Sequence, residues 1–315
     1  MKNMKNIKNL LFSALLCISL VAICIDFAAC KFDEYDLTYP YTSVFFVNQK
    51  YTRNVIVGEG LKIGVGITLS GLDNNKEDRI VEYKIDPSLV TDPDQTVLPP
   101  EYYKLGHPSQ IVIPKGKLKG YLPVVLDSAK FLADSKSLTG EFILPVRLVK
   151  AVGIDVIIEE KDFIRISLSY FAKQFGNYYY SGEADKYFGI VLYNSVRYAN
   201  SPTNGNSFRF LETVGPTTFR MVADPGNSDD PVNGVSFLIN VPTTGTQVAI
   251  VPDPDSPFEV RASGDCTYDP VTRTFHLEYT WTDGDSADCF AVEKLTFRNR
   301  IYDDQGNNIF VNEWR

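Results

Sequence analysis

The sequence predicts an all-β chain. Three observations carry that prediction. No segment after Ser43 holds a 3.6-residue apolar period for three turns, whereas short apolar runs with two-residue alternation recur throughout. Aromatic residues are abundant, with 18 Tyr, 20 Phe and 2 Trp, and they suit pleated, half-buried surfaces. The 21 Gly and 18 Pro interrupt the runs at spacings that suit tight turns. With 315 residues, 44% apolar and 22% charged, the chain has a folded protein's composition and a length suited to about two domains.

Residues 1–29 are expected to be an export signal, outside the fold. Lys2, Lys5 and Lys8 form a positive leader, and Leu10 to Ile25 is an uncharged, mostly apolar run. As a helix this run would span roughly 24 Å, short of the ~30 Å hydrocarbon core of a bilayer. It ends in Phe27-Ala28-Ala29-Cys30, which resembles the lipobox of bacterial lipoproteins. That resemblance implies that Cys30 is acylated and becomes the mature N-terminus; the alternative is an ordinary cleaved signal with Cys30 a free thiol. The acidic linker, residues 30–42, opens with Lys31-Phe32-Asp33-Glu34, which resembles the surface-export tag of Bacteroidetes lipoproteins. Removing the leader takes away three Lys and Asp26, leaving 28 basic and 38 acidic residues, a net charge of −10. Such a balance argues against nucleic acid as a partner.

The first half, residues 43–172, holds strand-like runs at 43–48, 54–57, 61–70, 79–85, 110–113, 120–126, 141–149 and 163–170. The clearest alternation is Lys62 to Leu69, with one apolar face and one small or polar face. Residues 127–133 suit one short helical turn, while Pro123 and Pro145 point to edge strands or bulges. Seven or eight short strands over this length suit an immunoglobulin-like sandwich. The second half, residues 175–315, carries runs at 178–181, 187–193, 208–213, 218–223, 235–241, 247–251, 258–262, 272–282, 290–298 and 308–314. Turn signals separate them at Asn204-Gly205, Pro225-Gly226, Asn233-Gly234, Asp283-Gly284 and Gln305-Gly306. That series predicts an antiparallel barrel or large sandwich, lipocalin-like in type, with the boundary near residue 174.

Three segments carry a further resemblance: Leu98-Pro99-Pro100-Glu101-Tyr102-Tyr103, Ile111 to Gly116, and Phe142 to Leu148. They are similar to the immunoglobulin-like N-terminal module of Bacteroidetes surface lipoproteins, also found ahead of family-18 endoglycosidases. Gly176-Asn177-Tyr178-Tyr179 through Glu293 to Arg298 resembles the barrel-like domain often joined to that module. The resemblance implies a polysaccharide-utilisation locus, glycan capture at the cell surface, and an outer-membrane, lipid-anchored location facing outward. An outer-membrane transporter complex is a further partner that it implies.

The chain lacks several chemical signatures. There is no Walker-type phosphate loop, Gly-x-Ser-x-Gly elbow or His-Glu-x-x-His helix. Gly58, Gly60, Gly64 and Gly66 read as turn or strand glycines. His107 and His276 are the only histidines, one in an expected turn and one on a strand. No catalytic residue, metal ligand or cofactor is assigned, and the Asp-rich loops lack calcium-loop spacing. The candidate ligand site is Trp281 with Asp283 and Asp285, a plate for a sugar's C–H face beside hydroxyl-accepting carboxylates. Tyr180, in Tyr178-Tyr179-Tyr180, and Trp314 are further aromatic candidates. Phe275, Leu277, Tyr279 and Trp281 share one strand parity, so Trp281 equally suits a core position. Cys266 and Cys289 are expected to be buried free thiols, placed apart by a meander of three strands.

Three functions compete: a non-catalytic glycan-binding lipoprotein, a structural adhesin or assembly subunit, and a glycoside hydrolase with an unrecognised carboxylate pair. The anchor is directly testable. Replacing Cys30 with Ala should release the protein into the soluble fraction and abolish palmitate labelling; unchanged labelling would refute acylation at Cys30.

Overall fold

The computed structural model describes residues 40–199, 209–223, 232 and 234–300. The leader, Cys30, most of the linker, Trp314 and the expected strand at 308–314 lie outside the described residues. So do the turns at Asn204-Gly205, Pro225-Gly226, Asn233 and Gln305-Gly306. From Tyr41 onward the chain clusters as one compact unit, and its architecture is all-β, as the composition predicts.

Residues 43–171 build a two-sheet sandwich. One sheet orders β1 (Ser43–Phe45), β3 (Lys62–Ser70), β6 (Tyr103–Leu105), β8 (Lys119–Leu126) and β10 (Val156–Ile157) as β10-β1-β3-β8-β6. The other contains β2 (Lys50–Ile56), β4 (Arg79–Ile85), β5 (Thr96–Val97), β7 (Gln110–Ile113), β9 (Phe142–Val152) and β11 (Phe163–Phe171). Its order is β2-β11-β9-β4-β7, with β5 also on β9. The alternation in β3 buries Ile63, Val65, Ile67 and Leu69 in a cluster with Leu122, Val124, Leu144 and Val146. The expected helical turn is α1 (Ser128–Ala133), where the Asp127 carboxylate accepts the Lys130 amide at 3.0 Å. A second turn, α2 (Lys136–Thr139), ends at Gly140, whose φ of 75° suits glycine.

The prolines correct an expectation. Pro145 lies in β9, a central strand between β11 and β4, and neither proline requires an edge. A strand residue's N and carbonyl O point to the same side. The Pro145 carbonyl accepts from Asp86, one residue past the end of β4, and the Pro123 carbonyl accepts from Gly106, one past β6. Each missing N–H therefore faces a neighbour whose strand has just ended.

Residues 176–299 form one ten-stranded antiparallel sheet. Its strands are β12 (Gly176–Phe188), β13 (Val191–Ala199), β14 (Arg209–Thr213), β15 (Thr218–Ala223), β16 (Ser236–Asn240), β17 (Ala249–Pro252), β18 (Arg261–Ala262), β19 (Thr267–Asp269), β20 (Thr274–Thr282) and β21 (Asp288–Asn299). The order is β17-β16-β15-β14-β12-β21-β20-β18, with β13 also on β12 and β19 on β20. The Val248 amide donates to the Cys266 carbonyl at 2.9 Å, and the Tyr268 amide to the Thr246 carbonyl at 2.7 Å. These bonds bring the segment before β17 onto β19, so the sheet curls into a nearly closed barrel. At Gly182 a Cβ would lie 1.9 Å from the Val292 carbonyl oxygen, so only glycine permits this approach of β12 to β21.

Two readings of the strands change. The run 187–193 is a hairpin corner instead of one strand: β12 ends at Phe188, Gly189 turns with φ 60°, and β13 starts at Val191. Cys266 precedes Thr267, which pairs with His276, while Cys289 pairs with Trp281. The thiols thus lie about four positions apart along β20, not six, and both are free and buried. Burial raises both thiol pKa values, that of Cys289 to about 11.

The barrel interior holds Phe219, Phe237, Phe275, Leu277 and Leu295, and also two charges. Arg209 and Glu293 are fully buried, with Nη2 to Oε1 at 2.7 Å and Nε to Oε1 at 3.0 Å. The Tyr279 hydroxyl donates to the other Glu293 oxygen at 2.7 Å, and the Arg209 guanidinium lies 4.0 Å from the centre of the Tyr180 ring. Removing one partner strands the other's charge, whereas an apolar pair of similar volume does not. Glu293→Leu should therefore destabilise the protein by roughly 3–5 kcal/mol in denaturant titration, with much of the loss recovered in Arg209→Met/Glu293→Leu. Intact mass after alkylation in denaturant without reductant should show modified thiols at both Cys266 and Cys289, and the folded protein should react slowly at either.

Candidate functional site

The structure separates the residues that the sequence groups. Trp281 is 3% exposed on the inner face of β20, stacked on Tyr279 at 5.7 Å and opposite Cys289. Tyr180 is buried beneath the Arg209 guanidinium. Both rings belong to the core, so neither offers a sugar an open face. This corrects their assignment as ligand residues. The cause is the parity that places Phe275, Leu277, Tyr279 and Trp281 inward together.

Asp283 and Asp285 lie in the loop that follows β20. The Asp283 carboxylate accepts the amides of Asp285 and Ala287, both at 2.9 Å, and meets the Lys186 ammonium at 2.5 Å. Burial alone would raise the Asp283 pKa, but the ammonium and the two amides outweigh it and the net shift is downward. Asp285 stands largely in solvent, 3.3 Å from the same ammonium. This loop is organised by its own contacts. Among the other candidates, His107 Nδ1 accepts the amides of Ser109 and Gln110, and His276 faces outward on β20. No group of three or more metal-ligating side chains occurs among the described residues.

A different set of residues forms a cleft of about 240 Å³ where the sandwich meets the barrel. β11 ends at Phe171, and a short connector turns through Ala172 to Phe175, held by the Phe175 amide on the Ala172 carbonyl. The Ala172 amide donates to the Thr213 hydroxyl at 3.1 Å, which fixes the connector to β14. Phe171 stacks on buried Phe175 with centroids 4.2 Å apart, and Phe210 meets Phe175 edge-on at 5.4 Å. Leu138 and Tyr170 complete the apolar wall from the sandwich side.

The polar rim comes from the same strand as Phe210. Arg209 and Leu211 point into the barrel, so Phe210 and Glu212 point out, two residues apart on one face. Glu212 lies 3.5 Å from Arg220, which also holds Asp253 at 2.8 Å and Asp255 at 2.7 Å. Burial acts to raise the Asp253 pKa, but its bonds to Arg220 and Ser236 bring it below the usual carboxylate value. An apolar aromatic slot thus opens beside a line of acceptors and donors. The signal for this site, an aromatic and a carboxylate at i and i+2, is the same signal sought at Trp281 and Asp283. Only the direction of each side chain separates the two.

A family model described as a "-like, N-terminal domain" matches residues 39–155, within the sandwich half and its approach. Comparison with curated proteins gives no match. Among solved structures, a Bacteroides ovatus protein of unknown function is similar with a TM-score of 0.66 and 19% identity, over 82% of this chain and 95% of that chain. An auxiliary nutrient binding protein from Bacteroides thetaiotaomicron aligns over 78% of this chain and 90% of that chain, at 13% identity and a TM-score of 0.42. The Bacteroides ovatus likeness is one of fold: it extends along nearly all of that protein and across both halves of this one.

The core assignment of Trp281 has a direct measure. Trp281→Ala should lower stability by about 3–5 kcal/mol, seen as a large fall in melting temperature.

Proposed function

We propose that the protein is a surface lipoprotein that binds glycan, without catalysis, in the cleft between sandwich and barrel. The observation that carries this reading is the pairing of Phe210 and Glu212 on one outward face beside the stacked Phe171 and Phe175. A pyranose ring has an apolar C–H face and a rim of hydroxyls, and these groups match the two parts of the cleft. Arg220, held in place by buried Asp253, and exposed Asp255 continue the polar surface away from the aromatic slot, which suits an extended chain better than a single free sugar.

Binding without turnover is supported by the donor set. Glycoside hydrolysis needs two carboxylates about 5–10 Å apart across the scissile bond. Glu212 lines the cleft, and it and Asp255 are both ion-paired to the one Arg220, so the two carboxylates share a cation on one side of the aromatic slot and do not face each other across it. Anchorage through acylated Cys30 is part of the proposal and rests on the apolar leader and the small residues before that cysteine. Among the described residues no helix is long and apolar enough to cross a membrane.

Affinity electrophoresis against a panel of polysaccharides tests the reading. The parent should be retarded by at least one polysaccharide without releasing reducing ends. Phe210→Ala and Glu212→Gln should each weaken that retention about tenfold, the equivalent of ~1.4 kcal/mol, while melting temperatures stay close to the parent's. Retention unchanged in both variants would remove the cleft as the site, and released sugar would replace binding by hydrolysis.

A further inference from the structure

The β12–β13 hairpin projects past the barrel wall. β21 begins at Asp288, opposite Tyr187, and Leu192 pairs with Tyr187 on that rung, so Phe188 to Val191 extend beyond the last rung shared with β21. Ile190 is 99% exposed, Val191 63% and Tyr193 70%, with Phe188 and Leu192 also exposed. Adjacent strand residues face opposite sides, so both faces of this tip are open. A flat protein surface would cover one face; a fluid can surround both.

The tip is also layered along its length. Ile190 in the turn and the Phe188–Val191 rung form an apolar apex. Leu192 and then Tyr193 follow towards the barrel; Tyr193 meets Phe188 edge-to-face at 5.2 Å, and the Lys186 ammonium lies 5.4 and 5.8 Å from the ring centres of Phe188 and Tyr193. Asp283 and Asp285 then hold that ammonium from the barrel side, near Asp288 at the start of β21. Apolar apex, aromatic collar and charged base follow the polarity profile of a bilayer from hydrocarbon to water. One rung and the two-residue turn give the apex a reach of roughly 5–7 Å past β21, within the ~5–10 Å to which interfacial elements enter a bilayer.

We propose that this hairpin is a wedge that inserts into the surface of a zwitterionic phospholipid bilayer. The base selects the headgroup: Lys186 and Asp283 offset each other, and the surplus carboxylates of Asp285 and Asp288 repel anionic lipid and attract the positive end of a choline headgroup. Alongside an acyl anchor at Cys30, the wedge would supply a second attachment. It would also set the barrel's orientation against the membrane. The proposal is independent of the glycan cleft.

The test uses the chain from Lys31 onward, which contains every described residue and lacks the apolar leader. It should float with phosphatidylcholine vesicles, and less well when phosphatidylglycerol is mixed in. Ile190→Asp/Leu192→Asp should reduce the bound fraction more than about tenfold, with polysaccharide retention unchanged. Tyr193→Trp should add an emission component that shifts to the blue on phosphatidylcholine and is quenched by brominated phosphatidylcholine. This readout stands even where the double variant fails to fold. Absence of flotation, equal flotation of the double variant, or an added component insensitive to brominated lipid would overturn the proposal. A dimer of the parent, dispersed by the double substitution, would instead assign the tip to a second copy and overturn it equally.

Discussion

The buried contact between Arg209 and Glu293 is the constraint on which the barrel depends. An ion in a protein interior loses several kcal/mol of hydration, and only a close, hydrogen-bonded partner offsets that loss. These residues are 84 positions apart in sequence, on β14 and β21, with β12 between them. Tyr180 from β12 lies against the guanidinium, and Tyr279 from β20 donates to the carboxylate. Four consecutive strands therefore meet at one polar knot. A one-residue slip in any of them would turn its side chain to the outer face and leave an opposite charge or a hydroxyl stranded.

That register reaches the outer surface. Because Arg209 points in, Phe210 and Glu212 must point out, and they do so where the connector from the sandwich arrives. The connector is held by the Ala172 amide on Thr213, by Phe175 between Phe171 and Phe210, and by Arg300, which joins Glu59 of the sandwich to the Lys173 carbonyl. The cleft is thus made by two halves that share no sheet. Its aromatic slot and carboxylate rim are a consequence of where the interior charge sits.

The two ends of sequence reasoning show in neighbouring segments. For β3, alternation from Lys62 to Leu69 was enough: the odd positions are buried and the even ones are not. For residues 187–193 it was not enough, because Tyr-Phe-Gly-Ile-Val-Leu-Tyr is a continuous apolar run with Gly189 as its one interruption. Nothing local distinguishes a buried strand from an overhanging corner of that composition. The difference lies in β21, which starts at Asp288 and supplies no neighbour beyond Tyr187. Glu293 went unremarked in the sequence, although it is a charge in the inward parity of Cys289, Ala291 and Leu295, and no local pattern points to its partner.

The sequence by itself determined what depends on near neighbours along the chain: the all-β class, most strand positions, the helical turn after Asp127, and the shared parity of Phe275 to Trp281. Those features follow from side-chain alternation and local hydrogen bonding, which a window of a few residues contains. Tertiary structure alone decided that Trp281 belongs to the core and Phe210 to the surface, that Pro145 sits safely in a central strand, and that the apolar corner at Ile190 faces solvent. Each of these depends on which distant strand lies alongside and where it stops, and that pairing is set by contacts such as Arg209 with Glu293, far apart in the chain.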